Sequence, residues 1–129
     1  MPDIQPRLKV FLVDDSALIR ARVAAMLAAP PMSIVGVATT PQGAIDGIRA
    51  TRPDVVVLDA KLDGGSGLDV LAALHGVSPE VRFIVFSNSA GDAYRQRYLA
   101  AGASRYLDKN AEFDQLAQAV ATAGHAAVH

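Results

Sequence analysis

The chain has 129 residues, 51% of them hydrophobic, which is enough for one domain with a real core and excludes a disordered polar chain. Its 12 basic and 13 acidic residues leave a net charge of −1 without a long basic run, which argues against a nucleic-acid surface. The absence of cysteine excludes disulfides and thiolate metal sites. No apolar run has membrane-spanning length, and the opening MPDIQPRLK lacks a signal-peptide core, so we expect a cytoplasmic protein with no membrane partner.

Short apolar runs alternate with helical patterns along the chain. The predicted strands are Leu8–Val13, Ile34–Ala38, Val55–Leu58, Val81–Phe86 and Ser104–Leu107. A helical pattern follows each strand, and the second of these, residues 41–50, is the weakest. This alternation predicts an α/β fold, with a five-stranded, doubly wound parallel sheet and helices on both faces. Ligands of such sheets bind beyond the carboxyl ends of the strands.

Polar side chains stand at four of those strand ends. Asp14 and Asp15 follow the first strand, Asp59 the third, Ser87 the fourth and Lys109 the fifth. Parallel strands end at the same edge of a sheet, so we expect these side chains to lie close together. Three clustered carboxylates repel one another unless a cation is present, and hard oxygen ligands in this number suit Mg²⁺. A nearby lysine suits a phosphate oxygen or an aspartate.

Helix capping accounts for several of these residues when each is taken singly. Asp15 or Ser16 is a candidate cap for the first helix, and Ser87 or Ser89 for the fourth. Taken together, the strand-end residues favour phosphoryl transfer onto a carboxylate. Asp59 is the best nucleophile candidate because it stands on the central strand with two acids beside it.

The residue blocks that carry this chemistry resemble those of the receiver domain of two-component response regulators, in the CheY-like superfamily. VDDS is similar to the acidic pair, LDAKLDGGSGLDVL to the phosphoacceptor block, VFSNS to the hydroxyl block and YLDKN to the lysine block. The resemblance runs from Leu8 to about Ala123 in the same order and spacing. It implies a flavodoxin-like sheet of order 2-1-3-4-5 and one receiver domain over residues 1–129, with its core at about residues 8–123.

The resemblance also implies a role for each site residue. Asp59 would accept a phosphoryl group from a histidine kinase or a histidine phosphotransfer protein. Asp15 and Asp59 would ligate Mg²⁺ (or Mn²⁺) directly, Asp14 through water, and Lys61 through its backbone carbonyl. Lys109 would pair with the phosphoryl group. The chain would be a regulatory phosphoacceptor rather than a dedicated enzyme, with only its own phosphorylation and dephosphorylation catalysed.

A switch is implied by the same resemblance. Ser87 would donate its hydroxyl to the new phosphoryl group, and Tyr106 would rotate inward as the aromatic switch residue. A strand tyrosine alone is more typical of a half-buried ring with its hydroxyl in water. The fourth helix, fifth strand and fifth helix would form the surface that signals to a partner protein, while Lys61 and Ser89 lie at positions that tune the phosphate lifetime.

Two residues bear on local structure near these blocks. Asn110 stands where the family usually has proline, and we expect it to cap the last helix, with Glu112 favouring the start of that helix. Gly67 is retained after the phosphoacceptor, which indicates a turn with positive φ.

Three alternatives stay open. A haloacid-dehalogenase-like phosphatase also uses an aspartate nucleophile, but its paired aspartates lie two apart after the first strand, whereas Asp14 and Asp15 are adjacent. A receiver-like module that binds a partner without phosphate is the second. The third alternative concerns the length of the protein. We expect a stand-alone receiver, and the alternative is that the sequence is a piece of a longer regulator.

Overall fold

The structure, a computed structural model, describes residues 7–28, 32–88 and 91–127. The strands in these ranges are β1 (Leu8–Val13), β2 (Met32–Ala38), β3 (Val55–Leu58), β4 (Lys61–Leu62), β5 (Gly65–Ser66), β6 (Arg82–Ser87) and β7 (Arg105–Asp108). The helices are α1 (Ala17–Met26), α2 (Pro41–Thr51), α3 (Gly67–Leu74), α4 (Asp92–Ala100) and α5 (Leu116–Ala127), with a 3₁₀ turn at Phe113–Gln115. None of these helices has both the length and the apolar character needed to cross a bilayer.

Five of the strands form one parallel sheet in the order β2-β1-β3-β6-β7. This confirms the predicted order 2-1-3-4-5, with β6 and β7 as the fourth and fifth strands of the sheet. The predicted bounds of β1 and β3 are also confirmed, whereas β2 begins two residues earlier and β6 and β7 each lie one residue further along. Val13 of β1 pairs with Leu58 of β3, so the two strands end at the same level.

The sheet is buried on both faces, as a doubly wound fold requires. Val10 and Leu12 of β1 pack in a cluster with residues of α1 and α5. Phe11 and Val13 point the other way, into a cluster with residues of α2, α3 and α4. All four residues of β3 are buried, which explains why this strand is a continuous apolar run rather than an alternating one.

The loop after β3 contains a short hairpin that the sequence did not predict. In it β4 and β5 pair antiparallel, with Lys61 opposite Ser66. The expected positive φ at Gly67 is wrong: Gly64 has φ 80° at the hairpin turn, and Gly67 is the first residue of α3. Two-residue strands carry too little periodicity to be recognised from sequence.

The start of the last helix also differs from the prediction. Asn110 does not cap α5, because that helix begins only at Leu116, after the 3₁₀ segment. The Asn110 backbone N–H donates to the Asp108 carboxylate at 2.7 Å in the preceding turn. Glu112 faces back as well, and its carboxylate accepts the Asp108 N–H at 3.0 Å. The expectation that Asn110 would be the cap was therefore wrong: Asp108 supplies the side chain that organises this turn.

Candidate functional site

Backbone pairing brings the first two acids of the site together. The Asp59 N–H donates to the Val13 carbonyl at 2.8 Å, directly past the last pair of β1 and β3. Asp14 follows Val13, and its own N–H donates to the Ala38 carbonyl at 3.1 Å. Both carboxylates are buried, each residue being 6% exposed. The sheet thus holds two acids side by side in a place with little water.

Lys109 lies between these carboxylates. Its Nζ is 2.7 Å from Asp14 Oδ2 and 3.2 Å from Asp59 Oδ2, and its side chain is buried. The position follows from β6 and β7, since the Lys109 N–H donates to the Ser87 carbonyl at 2.9 Å where these strands end. One buried cation therefore faces two buried carboxylates, and with Asp15 the site holds three acids for a single ammonium.

Burial raises the pKa of the Asp59 carboxyl above its ordinary value of 3.8. The Lys109 ammonium lowers this pKa in part, and the neighbouring Asp14 charge raises it again. The site is therefore short of positive charge. This shortage of positive charge favours binding of a further cation.

The arrangement of the acids fits a divalent cation. One carboxylate oxygen each of Asp14, Asp15 and Asp59 lies within 4.8 Å of the other two, and Asp15 is exposed to solvent. Opposite ligands of one Mg²⁺ are about 4.2 Å apart, given bond lengths of 2.0–2.1 Å. Oxygens this close together fit a single ion of this kind, bound directly or through its water. Among the described residues, this is the only such cluster.

The hydroxyl residues lie next to the acids. Ser87 is buried at the end of β6, and its side chain hydrogen-bonds that of Tyr106 on β7. Tyr106 is 4% exposed, so its ring is inside the protein rather than half in water. The Arg95 guanidinium of α4 donates to the Tyr106 carbonyl at 2.8 Å, which ties α4 to this strand.

Three further predicted residues are Lys61, Ser89 and Ser16. Lys61 has an exposed side chain on β4, and its backbone N–H faces Asp59 Oδ1 at 3.4 Å. Ser89, expected to tune phosphate lifetime, lies outside the described residues. Ser16 caps α1 by accepting the Ile19 N–H at 3.2 Å, as one of the two candidates for that cap.

A contact near the acids was not foreseen from sequence. The Arg20 guanidinium on α1 donates to the Asp14 carbonyl at 2.7 Å. An arginine one turn into a helix carries no sequence signal for a bond back to the residue that follows the preceding strand, so only the packing of α1 shows it.

Gly67 allows the start of α3 to approach the backbone of Asp59 closely. A Cβ added at this position would lie 2.5 Å from the Asp59 carbonyl oxygen, which is backbone and has little freedom to move. We expect Gly67→Ala to lower the free energy of unfolding by about 1–3 kcal/mol through this overpacking. Urea unfolding of the purified variant measures it.

The matched control is Gly76→Ala, because no atom outside its immediate chain neighbours lies within 4 Å of a Cβ added there. It should leave stability within about 0.5 kcal/mol of the unsubstituted protein, as an unstrained surface change. Equal stability of the two variants would contradict the close-approach explanation for Gly67.

Comparisons with known proteins agree with this fold and site. The family model described as "Response regulator receiver domain" matches residues 10–121. The DNA-binding transcriptional activator DevR/DosR of Mycobacterium tuberculosis is 35% identical over 117 residues, covering 90% of this chain and 54% of that protein. Response regulator GacA of Pseudomonas aeruginosa is 32% identical over 114 residues, covering 88% of this chain and 53% of GacA.

Solved structures show the same architecture. A two-component response regulator of the LuxR family from Aurantimonas sp. SI85-9A1 superposes with a TM-score of 0.87 at 26% identity, covering 93% of this chain and 86% of that one. The response regulator domain of Thermotoga maritima CheB gives 0.81 at 26% identity, covering 94% and 96%. The chain therefore belongs to the response regulator receiver domain family, a regulatory family of two-component signalling. It spans about half the length of the curated regulators it matches.

Proposed function

We propose that this chain is a phosphorylation-dependent signalling switch whose phosphoacceptor is Asp59. The observation that carries the proposal is the buried Asp59 carboxylate at the carboxyl edge of the sheet, where Lys109 lies between it and Asp14. The donor would be the phosphohistidine of a histidine kinase or a histidine phosphotransfer protein.

In the reaction, one carboxylate oxygen of Asp59 attacks phosphorus and forms a P–O bond as the P–N bond to the donor imidazole breaks. The electron pair of the broken bond leaves with the ring nitrogen, and the ring leaves as neutral imidazole when its other nitrogen carries the proton. Lys109 already contacts Asp59 Oδ2 at 3.2 Å and is placed to balance the charge of the incoming group. The protein thus supplies position and charge, the two requirements of phosphoryl transfer.

Asp14, Asp15, Asp59 and the Lys61 backbone carbonyl would hold Mg²⁺, or Mn²⁺, beside the acceptor. Bound there, the ion supplies charge neutralisation for the phosphoryl oxygens. The fit of the carboxylate oxygens supports this assignment. Lys61 and Ser89 would tune how long the phosphoryl group persists.

The response to phosphorylation would pass through Ser87. A phosphoryl group adds charge and three strong acceptors, for which the Ser87 hydroxyl is a donor. That hydroxyl now hydrogen-bonds Tyr106, so recruiting it to phosphate would free the tyrosine to reorient. The signalling face would consist of α4, β7 and α5, and Arg95 joins the first two of these through the Tyr106 carbonyl.

Partners and extent remain predictions of the same proposal. We infer a single receiver unit with its core at residues 8–123, acting in the cytoplasm on a partner protein. One relative is named a DNA-binding transcriptional activator, so the expectation that this protein has no nucleic-acid partner stays a prediction.

The test is incubation with a small phosphodonor and Mg²⁺, followed by intact-mass measurement. We expect one added phosphoryl group per chain. No adduct with any of several donors would overturn the proposal and favour a module that binds without phosphate. Sustained Mg²⁺-dependent hydrolysis of a generic phosphomonoester would instead favour the phosphatase alternative.

The raised pKa of Asp59 predicts a pH dependence for the metal-free protein. Because the folded carboxyl holds its proton more tightly than the unfolded one, whose pKa is 3.8, the group contributes stability below pH 3.8 that is lost as pH rises through the folded pKa. At pH 7 that stability is reduced, and the Asp59 carboxyl therefore destabilises the fold relative to low pH. We expect Asp59→Asn to raise the free energy of unfolding at pH 7 in a metal chelator, with the gain shrinking toward pH 4.

Urea unfolding of both proteins at pH 4 to 8 with a chelator checks this dependence. The Asp63→Asn variant serves as the control, since Asp63 is an exposed acid of the β4–β5 hairpin. A stability difference between Asp59→Asn and the unsubstituted protein that does not change with pH would contradict it.

A further inference from the structure

Tyr98 is the buried residue of α4, a helix whose other residues are exposed or partly exposed. It is 1% exposed, and its hydroxyl donates to the Ala60 carbonyl at 3.2 Å. Ala60 directly follows the phosphoacceptor in the chain. A side chain of the fourth helix thus reaches across the protein interior to the backbone beside Asp59.

The peptide group between Ala60 and Lys61 links that bond to the carboxylate. Its carbonyl accepts hydrogen bonds from the Tyr98 hydroxyl and from the Gly67 N–H, the latter at 2.9 Å. Its N–H, on Lys61, points to Asp59 Oδ1 at 3.4 Å. Bonds at the carbonyl end of a peptide both orient it and polarise its N–H, because neighbouring hydrogen bonds in a low-dielectric interior strengthen one another.

Tyr98 is suited to donate at every pH at which the protein works. Burial raises the pKa of its hydroxyl to about 12, so the proton stays in place. The ring is fixed as well, since its centroid lies 5.7 Å from that of Tyr106 in a tilted contact. The hydroxyl donor is therefore held in place by burial and by this ring contact.

We propose that Tyr98 is a positioning residue for phosphorylation: its hydroxyl, through the Ala60–Lys61 peptide, aims the Lys61 N–H at Asp59 and so holds the acceptor carboxylate for attack. The proposal rests on the assignment of Asp59 as phosphoacceptor. Tyr98 contacts neither the phosphoryl donor nor the Asp59 carboxylate. Its substitution therefore changes the rate of transfer and the Lys61 amide, and leaves the identity of the acceptor the same.

The experiment compares Tyr98→Phe with Tyr94→Phe in the full chain. Tyr94 lies one turn earlier on α4 and is 46% exposed, so its substitution removes a hydroxyl from the same helix without touching the Ala60–Lys61 peptide. The measurements are the rate of adduct formation with acetyl phosphate and Mg²⁺, the Lys61 amide proton shift, the dissociation constant of Mg²⁺ by calorimetry, and the thermal midpoint.

Tyr98→Phe should form the adduct about fivefold more slowly, the rate equivalent of one net hydrogen bond. Its Lys61 amide proton should move upfield, since the peptide loses a polarising donor, while Tyr94→Phe leaves both readouts unchanged. A purely structural role for Tyr98 would lower the thermal midpoint but leave the rate and the amide shift unaltered in the folded protein.

A second variant carries para-aminophenylalanine at position 98, which keeps a donor on the ring and should restore most of the rate. It also keeps the test valid if Tyr98→Phe does not fold. A folded Tyr98→Phe protein with an unchanged rate and Lys61 shift overturns the proposal.

Failure of the phosphoacceptor assignment has a different signature. In that case the unsubstituted protein itself forms no adduct, and Tyr98 is judged on the Lys61 amide shift and the Mg²⁺ affinity. A Lys61 shift and an Mg²⁺ affinity that match the unsubstituted protein overturn the positioning role in that case too.

Discussion

Asp59→Asn should abolish the phosphoryl adduct completely under conditions in which the unsubstituted protein gains one phosphoryl group per chain. Asparagine has nearly the same shape as aspartate, so the fold is retained, but its amide is a far weaker nucleophile than a carboxylate. Intact mass after incubation with acetyl phosphate and Mg²⁺ gives the result directly. A single acceptor makes the effect all-or-none, and the rival carboxylate at this edge is Asp14, which is equally buried and also contacts Lys109.

The control for this experiment is Asp63→Asn, which removes an exposed acid four residues further along the chain. It should leave the adduct yield unchanged. An adduct that survives Asp59→Asn and disappears in Asp63→Asn would place the acceptor in the hairpin loop and overturn the assignment. Persistence of the adduct in both single variants would indicate Asp14 or Asp15 as the acceptor.

Lys109→Met should lower the free energy of unfolding of the metal-free protein by about 3 kcal/mol at pH 7, the lower end of the range for breaking a buried ion pair. Methionine keeps most of the side-chain volume but leaves Asp14 and Asp59 buried together with no cation between them. Mg²⁺ should recover part of this loss, because an ion that binds only the folded state stabilises it. Adduct formation should also slow, since the charge of the transferred group is no longer balanced.

Urea unfolding with chelator and with Mg²⁺ tests both parts of this prediction. Lys9→Met is the matched control: it makes the same substitution near the other end of β1, far along the strand from the acids. Lys9→Met should lower the free energy of unfolding by less than about 0.5 kcal/mol, and this difference should not change when Mg²⁺ is added. Equal destabilisation by the two substitutions would indicate a general effect of lost lysine rather than the buried ion pair.

Much of the main fold was predictable because its signals are local. The apolar runs of β1 and β3 match their predicted bounds, since a strand buried on both faces must be continuously apolar over its whole length. The strand-end residues were also predictable as a group, because parallel strands place their carboxyl ends at one edge. The shared edge predicts that Asp14, Asp59 and Lys109 lie together, and the ion pairs of 2.7 and 3.2 Å confirm the proximity.

Local turns were predicted less well. Gly67 was expected to adopt positive φ, whereas close approach to the Asp59 carbonyl is what requires glycine there. Asn110 was expected to cap the last helix, whereas the Asp108 carboxylate accepts its N–H in a turn. Each residue type has two physical uses. Glycine offers either conformational freedom or small size, and asparagine forms either a helix cap or a turn. The choice depends on neighbours that are distant in the chain.

The sequence by itself determined the class of fold, the edge where the acids and Lys109 meet and the acid at the end of the central strand, because each follows from periodicity and strand direction. Only the tertiary structure decided which side chains reach that edge from elsewhere. Arg20 bonds the Asp14 carbonyl, and Tyr98 reaches the Ala60 carbonyl from 38 residues away. Such contacts depend on how helices pack on the sheet. Packing direction is set by the whole core, so no short stretch of sequence encodes it.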